Sequence, residues 1–440
     1  MRERFNRREI LKGMVGCAGL ASVSGLFRPG LVMAQSPQIG TPINIVHIFL
    51  AGGPDGLALY PPRDGSVFHE ELSGVRSSLL VPEHDRIQIH DQLGMPNPRD
   101  PHRAWEPLLS VVAPQEFAMI PSIEQKNITL VRSHSDSIIK AAMCNPQSNP
   151  TEQLGILARY ARDYLEVSQA YFVNPLVPQN LGGLTAFELG DLTNYKYERL
   201  LFDDHGLDEA RNKVLAGDMP RSAGAPMDQY YYNARQAGNL LIAEASAHAA
   251  LEVGGNYGIA ALKASAQIIK GTANQPRTRI FSLFDDRGSY DTHDRQGSST
   301  GLDGYLMNLV HGLSQDLKKF VTCLKGITYP NGRSAYDCTV VVLHGEFGRT
   351  FRENGTGSSD HGRGGILITF GGRHVRGGVY GDHPAVADCL DPDYDAMIPT
   401  NSFADFWSEL YVKVLGLPNS RLREYFPAQT LEQLGIFNSI

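Results

Sequence analysis

CTVVVLHGEFGRTFRENGTGSSDHGRGGILITF, residues 338–370, is the least generic stretch of the chain. Its first part, Cys338 to Leu343, is short, apolar and rich in valine, as a buried strand is. ILITF, Ile366 to Phe370, reads as a second strand. Between them lie HGEFGRT (His344 to Thr350) and the Gly- and Ser-rich loop from Glu353 to Gly365. Glu346, Arg349, Asp360, His361 and Arg363 are therefore gathered in strand-flanking loops, which is where α/β folds place their chemistry. The plain alternative is a structural ion pair between Glu346 and Arg349, with His361 in a solvated loop.

A strand followed by a charged loop recurs elsewhere. INIVHIFL (Ile43 to Leu50) runs into AGGPDGL, where Gly52, Gly53 and Gly56 allow a sharp turn that presents Asp55 at the strand end. A turn with a capping Asp would read the same way. RIFSLF (Arg279 to Phe284) runs into DDRGSYDTHDRQ, in which Asp291 and His293 stand two apart and can face one ion. Carboxylate and imidazole together suit zinc or manganese, although an Asp can equally fix the tautomer of a surface His. In NITLVRSHSDSIIKAAM, Ile128 to Val131 is strand-like and a helix is expected from Ile138 to Met143. Ser133, His134 and Ser135 fall at the junction. A serine there is most simply an N-cap. The position also suits a nucleophile or an anion, because free N–H groups and the helix dipole favour negative charge.

Helical spacing of apolar residues marks Glu152 to Val167, Asp228 to Leu251 and Tyr257 to Ile269. Residues from about 151 to 275 therefore read as a helical insertion expected to cap the active face. A short helix is expected around Ala104 to Val112 and a long amphipathic one from Leu302 to Leu324. Another, from Phe403 to Leu415, is capped near Asn401 or Ser402 and stopped by Gly416.

At 440 residues, with 42% hydrophobic and 20% charged, the chain has ample material for a large core. Arg2, Arg4, Arg7, Arg8 and Lys12 precede the apolar stretch MVGCAGLASVSGLF, and Val32-Met33-Ala34 offers a cleavage site. The pair Arg7-Arg8 before EILKG reads as a twin-arginine signal over residues 1–34, with 35–440 as a single domain. The expected partner in export is the twin-arginine translocase, and the expected location periplasmic or secreted. Removing that segment leaves 34 Lys/Arg (40 less 6) against 45 Asp/Glu (47 less 2), a net charge of −11. Such an acidic body argues against nucleic acid as a partner. No later stretch approaches the ~18 apolar residues of a membrane span. Cys144, Cys323, Cys338 and Cys389 lack metal-site spacing. Export allows one or two disulfides, and buried free thiols are the alternative.

Taken together, FLAGGPDGL, RSH (Arg132 to His134), YDTHDRQ, GEFGRT with the following DHG, and GGRHVRGGVYG (Gly371 to Gly381) resemble the bacterial exported domain of unknown function 1501. That family is grouped by resemblance with the alkaline phosphatase and sulfatase superfamily. The resemblance runs from about Ile43 to Phe426. It implies an α/β three-layer sandwich, with a mostly parallel central sheet flanked by helices and divalent metals at the sheet's C-terminal edge. It further implies Asp55, Asp291, His293 and His361 as metal ligands and Ser133 as nucleophile, with Ser135 a substitute. Glu346 occupies a ligand slot where relatives carry Asp followed by His. Phe347 cannot supply that imidazole, so a second ion is short of a ligand unless His134 or Asp360 provides it. The expected cofactors are one or two divalent ions, zinc, manganese, magnesium or calcium.

On this footing the chain is expected to be an exported metal-dependent hydrolase of small anionic phosphate or sulfate esters. Arg349 would clamp the non-transferred oxygens as a bidentate donor. No C/S-x-P-x-R sulfatase motif is present, which favours phosphate. The alternative is a non-catalytic relative that keeps the fold as a periplasmic binding or assembly factor.

Overall fold

A computed structural model of the chain describes residues 42–89, 99–124, 133–144, 155–165, 170–172, 247–285, 287–382, 384, 386–389, 395–427 and 429–439. The expected signal segment, the strand at 128–131 and residues 173–246 of the expected insertion lie outside them, and with these the 228–246 part of one expected helix.

The apolar runs become strands. Asn44–Phe49 (β1), Thr339–His344 (β5) and Gly365–Phe370 (β6) are buried along their length, and Arg279–Phe284 (β4) nearly so. Phe117–Glu124 (β2), Ala170–Phe172 (β3), Gly378–Val379 (β7) and Asn401–Ser402 (β8) complete one sheet, in the order β3-β4-β1-β5-β6-β2-β7 with β8 on β2. Among these, β6 pairs antiparallel with both β5 and β2, and the other pairings are parallel. The sheet is thus mixed and mostly parallel.

β2 comes from FAMIPSIE, whose residue pattern does not announce a strand. Pro121 cannot donate to a ladder, and Ser122 adopts φ 54 where the register against β6 shifts between Ile120 and Ile123. A bulge absorbs the interruption.

Successive residues of a strand face opposite ways, and both faces are covered here. Val46, Ile48, Val341 and Leu343 join a core with Leu306, Leu313 and Leu317. Ile45, Val340 and Val342 join another with Phe406, Trp407 and Leu410. Five helices supply or support the site: His134–Met143 (α1), Ile156–Tyr164 (α2), Ala260–Gly271 (α3), Tyr305–Lys325 (α4) and Phe403–Lys413 (α5). α3 and α4 pack on the first face, α2 and α5 on the second. Helices on both faces are what continuous apolar strands demand, and the result is an α/β three-layer arrangement. α1 starts at His134 rather than Ile138, because Ser133 holds extended backbone (φ −98, ψ 132) and the helix begins directly after it. α5 starts on a capping box formed by Ser402 and Asp405.

Cys144, Cys338 and Cys389 are buried free thiols, as in the second of the two expectations, and Cys323 is a free thiol only partly buried. No helix of the described residues is long and apolar enough to cross a membrane.

Beneath the C-terminal edge, a buried chain of neutral groups crosses three strands. His344 Nδ1 is 2.9 Å from the Gly345 carbonyl and must donate to it, so its Nε2 accepts. That nitrogen lies 3.0 Å from His47 Nε2, which therefore donates, and Ser282 Oγ donates to His47 Nδ1 at 3.0 Å. Burial pushes His344 down to about 4 and His47 well below its usual value. The unfolded chain takes up protons below about 6.5 that the folded chain resists. This contribution to stability is complete above that pH and is lost as pH falls through about 4. Chemical denaturation followed from pH 7 to 4 should show a falling midpoint. The fall should be shallower in the doubly substituted chain His47→Gln/His344→Gln, by on the order of 3 kcal/mol for His344.

Candidate metal centre

The parallel strands deliver their C-terminal ends to one edge, where five neighbouring strands contribute loops. β1 is followed by Gly52 and Gly53, β4 by Asp291 and His293, β5 by Glu346 and Arg349. β6 runs the other way, so Asp360 and His361 arrive just before it, and His134 opens the helix that follows β2. Backbone approach is close. Gly52 has φ +115, and a Cβ there would come within 2.1 Å of the Asp291 backbone nitrogen. Gly53 has φ +67, and a Cβ there would meet the Phe347 ring at 2.3 Å. Only glycine permits both the left-handed turn and that packing.

Asp291 is the hub. Its Oδ1 lies 2.8 Å from Arg349 Nη2, 3.1 Å from His293 Nε2 and 3.2 Å from His361 Nε2. Its Oδ2 lies 3.3 Å from His134 Nε2. Two of these imidazoles are braced from behind: His134 Nδ1 is 2.7 Å from Glu346 Oε1, and His293 Nδ1 is 2.7 Å from Asp360 Oδ1. Glu346, fully buried, also receives the Gly52 N–H at 2.9 and 3.1 Å on its two oxygens. The rings pack as well, with the His361 centroid 4.3 Å from His134, 4.3 Å from His293 and 4.7 Å from Phe347.

The electrostatics follow from these contacts. Hydrogen bonds to Asp291 and Glu346 push His134 up to about 9, against the effect of burial. Burial alone would raise Asp291, but hydrogen bonds from His134, His361 and Arg349 hold its carboxyl well below the usual range. The hydrogen bond from His293 likewise lowers Asp360.

The structure distributes the expected site residues unevenly. Asp291, His293, His361, Glu346 and Asp360 come together, and His134, read as an alternative ligand, lies at the centre. Asp55, expected as a ligand, is held elsewhere. It is buried, paired with Arg76, accepts Gln296 Nε2 at 2.7 Å, and caps the turn at Gly56–Leu59 through the Leu57 N–H at 3.0 Å. Arg349, expected to clamp a substrate, instead ties the loops. It has no exposed side-chain surface and donates to the carbonyls of Gly52, Gly53, Tyr290 and Ser359 as well as to Asp291. Ser133 is exposed, its side chain makes no capping bond, and it stands one residue from His134. The side chain of Ser135 lies outside the described residues. Gln296 closes the YDTHDRQ stretch, yet its type and position assign it no role before the fold is known: it bridges Asp55 and Ser359, the latter at 2.8 Å.

His134, Asp291 and His361 each offer a ligand atom, and those atoms all lie within 4.8 Å of one another, a group able to hold a metal ion. The donor set fits a divalent cation. A backing carboxylate on Nδ1 is the usual second partner of a metal-ligating histidine, because it fixes Nε2 as the free nitrogen. His134 and His293 both have one.

No curated protein sequence matches the chain. Among solved structures it is similar to the lipoteichoic acid synthase LtaP from Listeria monocytogenes, at 11% identity over 86% of this chain and 72% of that one, with a TM-score of 0.35. It is similar also to Ps i-CgsB in complex with k-i-k-neocarrahexaose, at 12% identity over 90% and 74% of the two chains, again with a TM-score of 0.35. At such scores neither likeness bears on the chemistry. Residues 221–396, which carry Asp291, His293, Glu346, Arg349, Asp360 and His361, match the family described as Protein of unknown function (DUF1501).

Proposed function

We propose that the protein is a metal-dependent hydrolase of small anionic esters, phosphate before sulfate, with Ser133 as nucleophile. The observation that carries this reading is the convergence of His134, Asp291 and His361 at the edge where α/β folds bind ligands, beside an uncapped serine. A divalent ion held there supplies Lewis-acid stabilisation of negative charge on the reacting oxygens. The chain's own residues do the rest. The first turn of α1 leaves backbone N–H groups without intrahelical partners, and such groups would favour an anionic ester docked at this helix end. Ser133 Oγ would attack phosphorus or sulfur, the alcohol would leave with the proton, and water would then cleave the seryl ester. Arg349 acts by holding the Gly52–Gly53 turn and Asp291 in register, and makes no contact with substrate in this scheme.

Ser133→Ala is expected to lower hydrolysis of aryl phosphates by at least about 10³-fold, an effect on the scale of losing a nucleophile, while leaving zinc binding intact. Steady-state assays of wild type and variant on matched phosphate and sulfate esters check this. Equal rates would sink the nucleophile assignment. A second reading, the non-catalytic binding factor, draws on Arg349, which is fully buried and donates from each of its guanidinium nitrogens to protein oxygens rather than facing a substrate. A metal-loaded wild type that turns over none of the esters would favour it.

A further inference from the structure

This inference rests on the metal centre just proposed and fixes how many ions it takes. We propose that the centre holds a single divalent ion on His134, His293, His361 and Asp291, with Glu346 and Asp360 outside the ligand set and Arg349 in place of a second cation.

His134, His361 and Asp291 offer ligand atoms within 4.8 Å of one another. His293, outside that group, turns its Nε2 to the same carboxylate, so that all three imidazoles meet Asp291 through Nε2 at 3.1 to 3.3 Å. His134 and His293 have their Nδ1 atoms committed to Glu346 and Asp360, so each has only Nε2 to offer. The groups a second ion would need are engaged. Both oxygens of Glu346 accept the Gly52 N–H, and one also accepts His134. Asp55 is held by Arg76, Gln296 and the Leu57 N–H. Asp360 Oδ1 is shared by His293 and the Asn354 amide, at 2.7 and 3.0 Å. Phe347 adds no donor, and its ring lies 5.0 Å from His134 and 4.7 Å from His361.

Charge gives the same count. Asp291, Glu346 and Asp360 carry three negative charges and Arg349 one positive, so once the imidazoles have given up any proton, as metal-ligating histidines must, the cluster is short by two. One divalent ion closes that gap. A second would leave an uncompensated double charge in a partly buried site, which is costly. Three nitrogen donors also favour zinc or another imidazole-binding metal over magnesium or calcium, which take oxygen ligands.

Native mass spectrometry and calorimetric titration of the metal-stripped full chain with Zn²⁺ test the count without any assay of activity. One ion per chain is expected. Asp360→Asn and Glu346→Gln should still bind one, with Kd raised about 10- to 100-fold, the scale for losing a partner behind a ligand. His293→Ala, at a half-exposed side chain that can be removed without emptying a core, should weaken binding at least as much. Asp360 is more exposed still, so its variant keeps the test valid even where Glu346→Gln fails to fold. Two ions in the wild type, one of them lost in Glu346→Gln, would overturn the single-ion count and leave the hydrolase reading standing. An unchanged Kd in His293→Ala would overturn the fourth ligand. No zinc bound by folded wild type would overturn both this inference and the reading on which it rests.

Discussion

Arg349→Met should lower stability by about 3–5 kcal/mol, the range for breaking a buried ion pair by removing one partner, and should abolish tight zinc binding with it. The reason lies in what this one guanidinium spans. It reaches Gly53 O at 2.7 Å, Tyr290 O at 2.9 Å and Ser359 O at 3.3 Å, together with Gly52 O and Asp291 Oδ1. Those groups belong to the loops after β1, after β4 and before β6. Methionine fills comparable volume but strands four backbone carbonyls in a dry interior, and each unsatisfied group costs about 1–3 kcal/mol. Arg349→Lys should recover little of the loss, because an ammonium has three donors at one point where the guanidinium spreads five over a plane. Denaturant midpoints of the three proteins, measured metal-free, check the stability effect independently of any ion. A midpoint in Arg349→Met within error of wild type would contradict it.

Asp291→Asn should weaken zinc binding by more than about 100-fold, beyond the ~10- to 100-fold expected behind a ligand. The hub carboxylate meets His134, His293 and His361, so its charge organises all three imidazoles. The metal-free protein should respond too. His134, now pushed up to about 9 by Asp291 and Glu346, should titrate nearer its ordinary value once one of the two partners is neutral. Proton-detected titration of the His134 ring in the metal-free variant gives that readout. An unmoved His134 together with unchanged zinc affinity would show that Asp291 is not the hub.

Much of this arrangement is legible in the residues, for a physical reason. Strands buried on both faces need unbroken apolar runs, and β1, β4, β5 and β6 are such runs ending at charged loops. β2 is not legible, since Pro121 and the bulge at Ser122 interrupt its pattern. Asp55 shows the limit of reading a site from a motif. An Asp after a glycine turn at a strand end suits both a metal ligand and a helix cap, and which it becomes depends on Arg76 and Gln296, 21 and 241 residues away along the chain. Arg349 is similar: sequence places a cation at the edge, but only tertiary packing decides whether it faces a ligand or four carbonyls. His134 is easily undervalued because RSH gives no spacing to Glu346 or Asp291; their distances of 2.7 and 3.3 Å exist only in the fold.

A crystal structure of the zinc-loaded protein, with diffraction data on both sides of the zinc absorption edge, would show the centre itself. One anomalous peak is expected, enclosed by His134, His293, His361 and Asp291, with Glu346 and Asp360 still behind His134 and His293. A peak at Asp55, a second peak of comparable height, or no peak among these four residues would overturn the single-ion centre.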